Sequence, residues 1–229
     1  MTSIADNFAE VRARIAAACA DAGRSVDDVA LLAVSKRHPA ASVQAAMAAG
    51  QREFGESRVQ ELSAKSLELE DAAELRWHMI GSVQTNKVRD LVRVRGLALL
   101  HSCDRVKLAD ALQKELADGD RRLDVLLQIN ATGEEQKHGC DVERADAFMD
   151  HVQAACPRLR VCGLMAMGPL QGDPAPVFAR VAALRDDLRS RSGLPLPTLS
   201  LGMSGDLAPA IAAGSTMVRV GTSLFGARS

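Results

Sequence analysis

The fold is decided by a short apolar run at residues 31–36, which reads LLAVSK. Four consecutive apolar residues in so short a run are typical of a strand buried on both faces, as the strands of parallel sheets are. The run ends on Lys36, and the turn after it reads RHP instead of the G-x-G-x-x-G of a dinucleotide-binding sheet. A lysine in this position can form a Schiff base with an aldehyde, although most lysines that follow a strand are solvated.

Beyond this run, the chain alternates short apolar runs with longer helical stretches until eight such units are complete. Strict β-α alternation with apolar strands predicts a parallel sheet, and eight repeats predict a closed (β/α)8 barrel, the TIM barrel. A doubly wound open sheet is the alternative. The predicted strands cover residues 31–35, 53–55, 77–81, 97–102, 123–130, 160–167, 198–202 and 217–221. The predicted helices cover residues 42–49, 56–70, 84–94, 104–117, 141–155 and 174–190, with a short helix after Asp206.

An additional amphipathic helix precedes the first barrel strand. Its apolar residues recur at steps of three and four, and Gly23 stands where a helix commonly ends. We expect this helix, within residues 1–23, to pack on the barrel, and residues 1–229 to form a single domain. The apolar positions are Ile4, Phe8, Val11, Ile15 and Cys19.

The composition excludes several classes of protein. The net charge of -1 gives no electrostatic reason to expect a nucleic-acid partner, and no apolar stretch is long enough to span a membrane. The N-terminal residues include Asp6 and Glu10 and lack the apolar core of a secretory signal. The five cysteines are odd in number and lack C-x-x-C spacing, which indicates reduced thiols in the cytoplasm and argues against a zinc site or disulfides.

Two glycine-rich turns near the C-terminal end have the composition of a phosphate site. Residues 202–206 read GMSGD, and residues 221–223, directly after the eighth predicted strand, read GTS. Glycines allow backbone N–H groups to approach an anion, and hydroxyls add donors. Loops after the seventh and eighth strands are the recurrent phosphate site of TIM barrels, although a simple Thr or Ser helix cap is the alternative interpretation.

A charged residue, Arg219, lies within the eighth predicted strand. Such an arginine either forms an ion pair, points outward or contacts a ligand. If it faces the nitrogen of a pyridine cofactor, it supplies no proton to the ring, and the cofactor becomes a poor electron sink. His78, in the third predicted strand, is either a hydrogen-bonded core histidine or a base.

Several stretches resemble one family along nearly the whole chain and in one order. That family is the YggS/PROSC family of pyridoxal phosphate homeostasis proteins. The matching stretches are LAVSK at 32–36, FGESRVQE at 54–61, WHMIGSVQTNK at 77–87, GLMAM at 163–167, LSLGMS at 199–204 continuing through GST at 214–216, VRVGT at 218–222 and FGAR at 225–228.

The resemblance implies a single barrel like the N-terminal domain of alanine racemase, with pyridoxal 5'-phosphate (PLP) as its cofactor. It implies Lys36 as the Schiff-base residue and Arg219 facing the pyridine nitrogen. The phosphate would be bound by Ser204, Gly221 and Thr222, and the cofactor would be lined by Met165, Ser200 and Met203. Ser57 occupies a cofactor-contacting position where the family usually carries asparagine, so a contact of that amide is lost or replaced by water.

Two classes of function remain open for such a barrel. In the first, a monomeric protein masks PLP and passes it to apo forms of PLP-dependent enzymes. In the second, it is a small racemase or decarboxylase. A two-base racemase needs a proton donor on each face of the cofactor, commonly lysine and tyrosine, and this sequence has no tyrosine and no second domain after the barrel. His78, Cys103 or Lys137 is the possible substitute, and the carrier is the favoured interpretation.

Overall fold

A computed structural model describes residues 3–134 and 138–226, and its centre is a closed ring of parallel strands. The strands are β1 (Ala30–Val34), β2 (Glu53–Glu56), β3 (Arg76–Met79), β4 (Leu97–Cys103), β5 (Leu123–Asn130), β6 (Cys140–Asp141), β7 (Leu159–Met165), β8 (Thr198–Ser200) and β9 (Met217–Val220). β1 pairs with both β2 and β9, and β4 pairs with β5, so eight of these strands close a ring. The two-residue β6 pairs only with β5 and lies outside the ring.

The predicted TIM barrel is therefore confirmed, and the doubly wound alternative is wrong, because an open sheet leaves two edge strands unpaired. One boundary differs from the prediction in a way that affects the site. Glu56 was expected to begin a helix, but it ends β2, where it pairs with Met79 and is fully buried. The chain bends at Ser57, Arg58 is extended, and the helix begins at Val59.

Helices surround the ring and connect its strands. They are α1 (Ile4–Asp21), α2 (Ala40–Ala48), α3 (Val59–Glu68), α4 (Val88–Val92), α5 (Val106–Leu116), α6 (Ala145–Ala155), α7 (Ala175–Ser192), α8 (Leu207–Ala212) and α9 (Thr222–Phe225). Their apolar faces and the outward side chains of the strands form one continuous core, as the layered architecture requires.

The N-terminal helix α1 begins with a capping box, in which Ser3 and Asp6 bond each other's backbone N–H groups. Its buried face includes Phe8, which packs edge-on against Phe225 of α9 at 6.2 Å between ring centroids. Arg14 of α1 donates to the carbonyl of Ser204 at 2.7 Å. The helix thus contacts both α9 and the loop that follows β8.

The interior of the ring is unusual because a line of polar side chains crosses it. Barrel interiors are commonly filled by branched apolar residues, and here Leu99, Leu126 and Met165 form only a small apolar cluster. The rest of the buried interior includes four polar side chains at 5% exposure or less, namely His78, His101, Ser200 and Arg219.

Candidate cofactor site

A cavity of about 230 Å³ opens where the strands end, on the face that carries the active sites of TIM barrels. It brings together the loop after β1 and the loops after β8 and β9, which are neighbours in the ring. The lining residues are Val34, Lys36, His38, Ile80, Met203, Ser204, Gly205, Arg219, Gly221 and Thr222.

Six of the nine residues predicted to bind the cofactor line this cavity. These six are Lys36, Met203, Ser204, Arg219, Gly221 and Thr222. Sequence reasoning missed Val34, His38 and Ile80. His38 could have been found, because it lies two residues after Lys36, whereas Val34 and Ile80 carry no chemical signal beyond their position at strand ends.

The other three predicted residues do not line the cavity. Ser200 lies beneath it, bonded to Arg219, and Met165 packs inside the ring against Leu99 and Leu126. Ser57 follows β2, and its backbone carbonyl passes so close to Gly81 that a Cβ there would lie 2.1 Å from the oxygen. Glycine at position 81 is therefore what permits the chain at Ser57 to approach β3.

The chain on both sides of Lys36 is anchored by a buried charged cluster. Lys65 Nζ donates to the carbonyl of Ser35 at 2.8 Å, to Glu56 Oε1 at 2.7 Å and to Glu61 Oε1 at 2.8 Å. The hydroxyl of Ser35 also donates to Glu56 Oε1, and the N–H of Arg37 donates to Glu61 Oε1. One ammonium group and two carboxylates thus fix the residue before Lys36 and the residue after it.

This cluster holds a backbone conformation that costs energy. Arg37 has φ of +65°, a left-handed conformation that residues other than glycine adopt at a cost of about 1 kcal/mol or more. Burial raises the pKa of Glu56, and the hydrogen bond and charge of Lys65 oppose that rise. The cluster therefore combines a strained turn with buried charges, directly beside Lys36, the predicted Schiff-base residue.

Arg219 points into the ring and is 5% exposed, which excludes the outward-facing alternative. Its guanidinium donates to the carbonyl of Ser200 at 2.6 Å, to the hydroxyl of Ser200 at 2.8 Å and to the carbonyl of Ala166 at 3.0 Å. Within residues 3–134 and 138–226 it has no ion-pair partner. Burial lowers its pKa to about 10, so the group stays charged at neutral pH. An arginine has five N–H donors, so donors remain for a ligand in the cavity.

A hydrogen-bonded line of two histidines supports Ser200 from below. His101 Nδ1 lies 3.1 Å from Ser200 Oγ, and His101 Nε2 lies 2.9 Å from His78 Nδ1. Burial lowers the pKa of His78 to about 3 and that of His101 well below its ordinary value, so both rings are neutral. Arg219 can only donate, so the hydroxyl of Ser200 accepts from it. The same hydroxyl can then donate its O–H to Nδ1 of His101. His78 is thus a core histidine, and its ring does not line the cavity.

The loops after β8 and β9 provide the predicted phosphate end of the cavity. Gly221 precedes α9, and the first N–H groups of a helix have no partner within it. A Cβ at Gly221 would lie 3.1 Å from the carbonyl of Val34, so the two strands approach closely here. Asp206 accepts from the N–H of Met203, and Arg14 holds the carbonyl of Ser204. The loop after β8 is therefore held by hydrogen bonds from both sides, and the loop after β9 lies close against β1.

Known proteins share this sequence along its length. Residues 4–229 match the family described as alanine racemase, N-terminal domain. The pyridoxal phosphate homeostasis protein of Pseudomonas aeruginosa is 46% identical over 228 residues, which are 100% of this chain and 97% of that protein. The chain belongs to the pyridoxal phosphate homeostasis protein family. Its human relative of the same name is 40% identical over 209 residues, covering 86% of this chain and 76% of that protein.

Solved structures of known proteins share the barrel fold. PipY of Synechococcus elongatus, solved with PLP bound, is 35% identical with a TM-score of 0.84, covering 97% of this chain and 100% of that one. Alanine racemase of Corynebacterium glutamicum is 19% identical with a TM-score of 0.65, covering 98% of this chain and 60% of that one. The racemase likeness shows the barrel fold alone.

Among the described helices, none is both long and apolar enough to cross a bilayer. Lys137, a second possible amine, lies outside the described residues.

Proposed function

We propose that this chain binds PLP in the cavity at the strand ends, holds it as a Schiff base on Lys36, and serves intracellular PLP homeostasis by delivering it. The observation that carries the proposal is that a lysine, a buried arginine and a glycine-rich phosphate loop line one cavity. The PLP-bound PipY relative and the family membership support the same ligand. Bound PLP supplies an aldehyde, which is the group that a lysine amine attacks.

Each of the nine residues predicted to bind the cofactor has a part in this proposal. Lys36 supplies the amine, and Ser204, Gly221 and Thr222 receive the phosphate. Arg219 offers its remaining N–H donors to the ring nitrogen, and Met203 covers the cofactor from the loop after β8. Ser200 acts indirectly, because its hydroxyl and carbonyl both accept from Arg219. Met165 and Ser57 contribute at a distance, Met165 through interior packing and Ser57 through its backbone beside Gly81.

The carrier function is favoured over a racemase or decarboxylase by the residues available for proton transfer. The chain contains no tyrosine. Among the proposed substitutes, His78 is buried beneath the cavity, and burial raises the pKa of Cys103 far above neutral pH. Arg219 retains its proton, so it leaves the ring nitrogen unprotonated and the cofactor a poor electron sink.

We place the protein in the cytoplasm as a single PLP-binding domain over residues 1–229, with transient contacts to apo PLP-dependent enzymes. Cys19, Cys103, Cys140, Cys156 and Cys162 are all free thiols, which fits a reducing compartment. A monomer suffices, because the cavity described is lined by residues of one barrel.

Incubation of the PLP-loaded protein with each common L-amino acid is expected to yield no D-isomer and no amine above a PLP-only control. The physical reason is that the chain has no tyrosine to act as the second base and that Arg219, which retains its proton, leaves the cofactor a poor electron sink. Chiral chromatography and amine detection measure the outcome. Turnover that is reproducible and is lost in Lys36→Ala would contradict the carrier function, while leaving PLP binding intact.

A further inference from the structure

Asp110, His151 and Cys156 form a cluster that belongs to no part of the cofactor cavity. Asp110 lies on α5, His151 lies on α6, and Cys156 is the residue at which α6 ends. One ligand atom from each residue lies within 4.8 Å of the other two. A carboxylate, an imidazole and a thiol are three of the groups that bind Zn²⁺ in proteins.

The spacing of these atoms is close to that of a tetrahedral metal site. Zn–N and Zn–O bonds of about 2.0 Å and a Zn–S bond of about 2.3 Å place neighbouring ligand atoms roughly 3.3–3.5 Å apart. Cys156 Sγ lies 3.9 Å from Asp110 Oδ1, and His151 Nε2 lies 2.7 Å from the same oxygen. To hold the ion, the distance between Asp110 and His151 must lengthen by about 0.6 Å and the distance between Asp110 and Cys156 must shorten by about 0.4 Å.

The cluster is both anchored and accessible. The backbone of Cys156 bonds Val152 through its N–H and Leu159 through its carbonyl, so the thiol has a fixed position. The side chain of Asp110 is 53% exposed and that of His151 is 32% exposed, so both can adjust and an ion can enter from solvent. An exposed Asp-His pair alone contributes little to stability, but the thiol beneath it adds the ligand that a simple surface pair lacks.

Although the cysteine spacing in the sequence argues against a zinc site, we propose that Asp110, His151 and Cys156, which the fold brings together, form one that ties α5 to α6, with water as the fourth ligand. The soft thiolate and the imidazole favour Zn²⁺ over Mg²⁺ or Ca²⁺. Binding replaces the S–H bond of Cys156 by an S–Zn bond and releases that proton to solvent, with no change of oxidation state. His151 binds as the neutral ring through Nε2.

Titration of the full-length, PLP-loaded protein with Co²⁺, a spectroscopic substitute for Zn²⁺, tests the site. We expect one equivalent to bind, with a sulfur-to-cobalt charge-transfer band in the near ultraviolet and the visible bands of tetrahedral cobalt. Added Zn²⁺ is expected to remove both. PLP itself absorbs and can bind cobalt, so each spectrum is compared with that of the same loaded protein before cobalt is added.

Three variants distinguish this site from chance binding. Cys156→Ser is expected to lose the charge-transfer band, and His151→Gln is expected to weaken Zn²⁺ binding by about tenfold or more in calorimetry. Cys162→Ser is the matched control and is expected to keep the band, because Cys162 also lies beside an aspartate, Asp124, but has no histidine ligand. Absence of the band in the parent protein, its retention in Cys156→Ser, or its loss in Cys162→Ser would overturn the proposal.

Discussion

The variant Lys36→Ala is expected to lose the visible absorbance of the PLP-loaded protein and to release PLP during gel filtration. The physical reason is that the Schiff base is the only covalent bond proposed between the chain and PLP. The contacts from Arg219, Gly221 and Thr222 remain, so the variant should bind PLP at least about tenfold more weakly instead of not at all. Absorption spectra and equilibrium dialysis measure the two effects.

Lys107→Ala serves as the control for this result. Lys107 lies on α5 and does not line the cofactor cavity, so its removal should leave both the spectrum and the affinity unchanged. An unchanged visible band in Lys36→Ala would show that Lys36 does not form the Schiff base with PLP.

The variant Lys65→Met is expected to lower the free energy of unfolding by about 3–5 kcal/mol, because it leaves the buried carboxylate of Glu56 without its cation. Glu56 is fully buried and its Oε2 has no hydrogen-bond partner among the described residues, so without Lys65 the hydroxyl of Ser35 is the described donor that remains to this carboxylate. The loop at Lys36 would also lose the bond to the carbonyl of Ser35. Denaturant unfolding measures the stability, and PLP retention reports on the loop.

Two further variants test whether Lys65→Met loses stability because the buried charged cluster is broken. Arg180→Met breaks the exposed Arg180–Glu143 pair and should cost about 1 kcal/mol or less. The double variant Lys65→Met/Glu56→Gln removes the ammonium together with one buried charge and should recover part of the stability. A loss in Lys65→Met no greater than that in Arg180→Met would show that the buried cluster does not anchor the loop.

The barrel could be predicted because its signal is local and repeated. Each short apolar run is followed in sequence by a helix that covers it, so the alternation itself indicates the layers. Closure of the ring could not be read from any one unit, since it depends on β1 pairing with β9 across the whole chain. Glu56 was assigned to a helix because a charged residue is uncommon in a buried strand, and Lys65, which makes that burial possible, lies nine residues further on.

The site residues could be predicted only where a residue suited to bind the cofactor also stands at the end of a predicted strand. Lys36, Gly221 and Thr222 follow strands directly, so the rim of the barrel brings them together. Ser200 is also expected to touch the cofactor; its hydroxyl accepts from Arg219, and it does not line the cavity. The line from Ser200 through His101 to His78 joins three strands, and no spacing within one segment reveals it.

Borohydride reduction of the PLP-loaded protein, followed by proteolysis and mass spectrometry, tests the central claim most directly. Reduction fixes a Schiff base as a stable amine, so the modified residue can be identified in its peptide. The account predicts a single pyridoxyl phosphate label, on Lys36. A label on Lys65, Lys137 or another lysine with Lys36 unmodified, or no label on protein that still carries PLP, would contradict it.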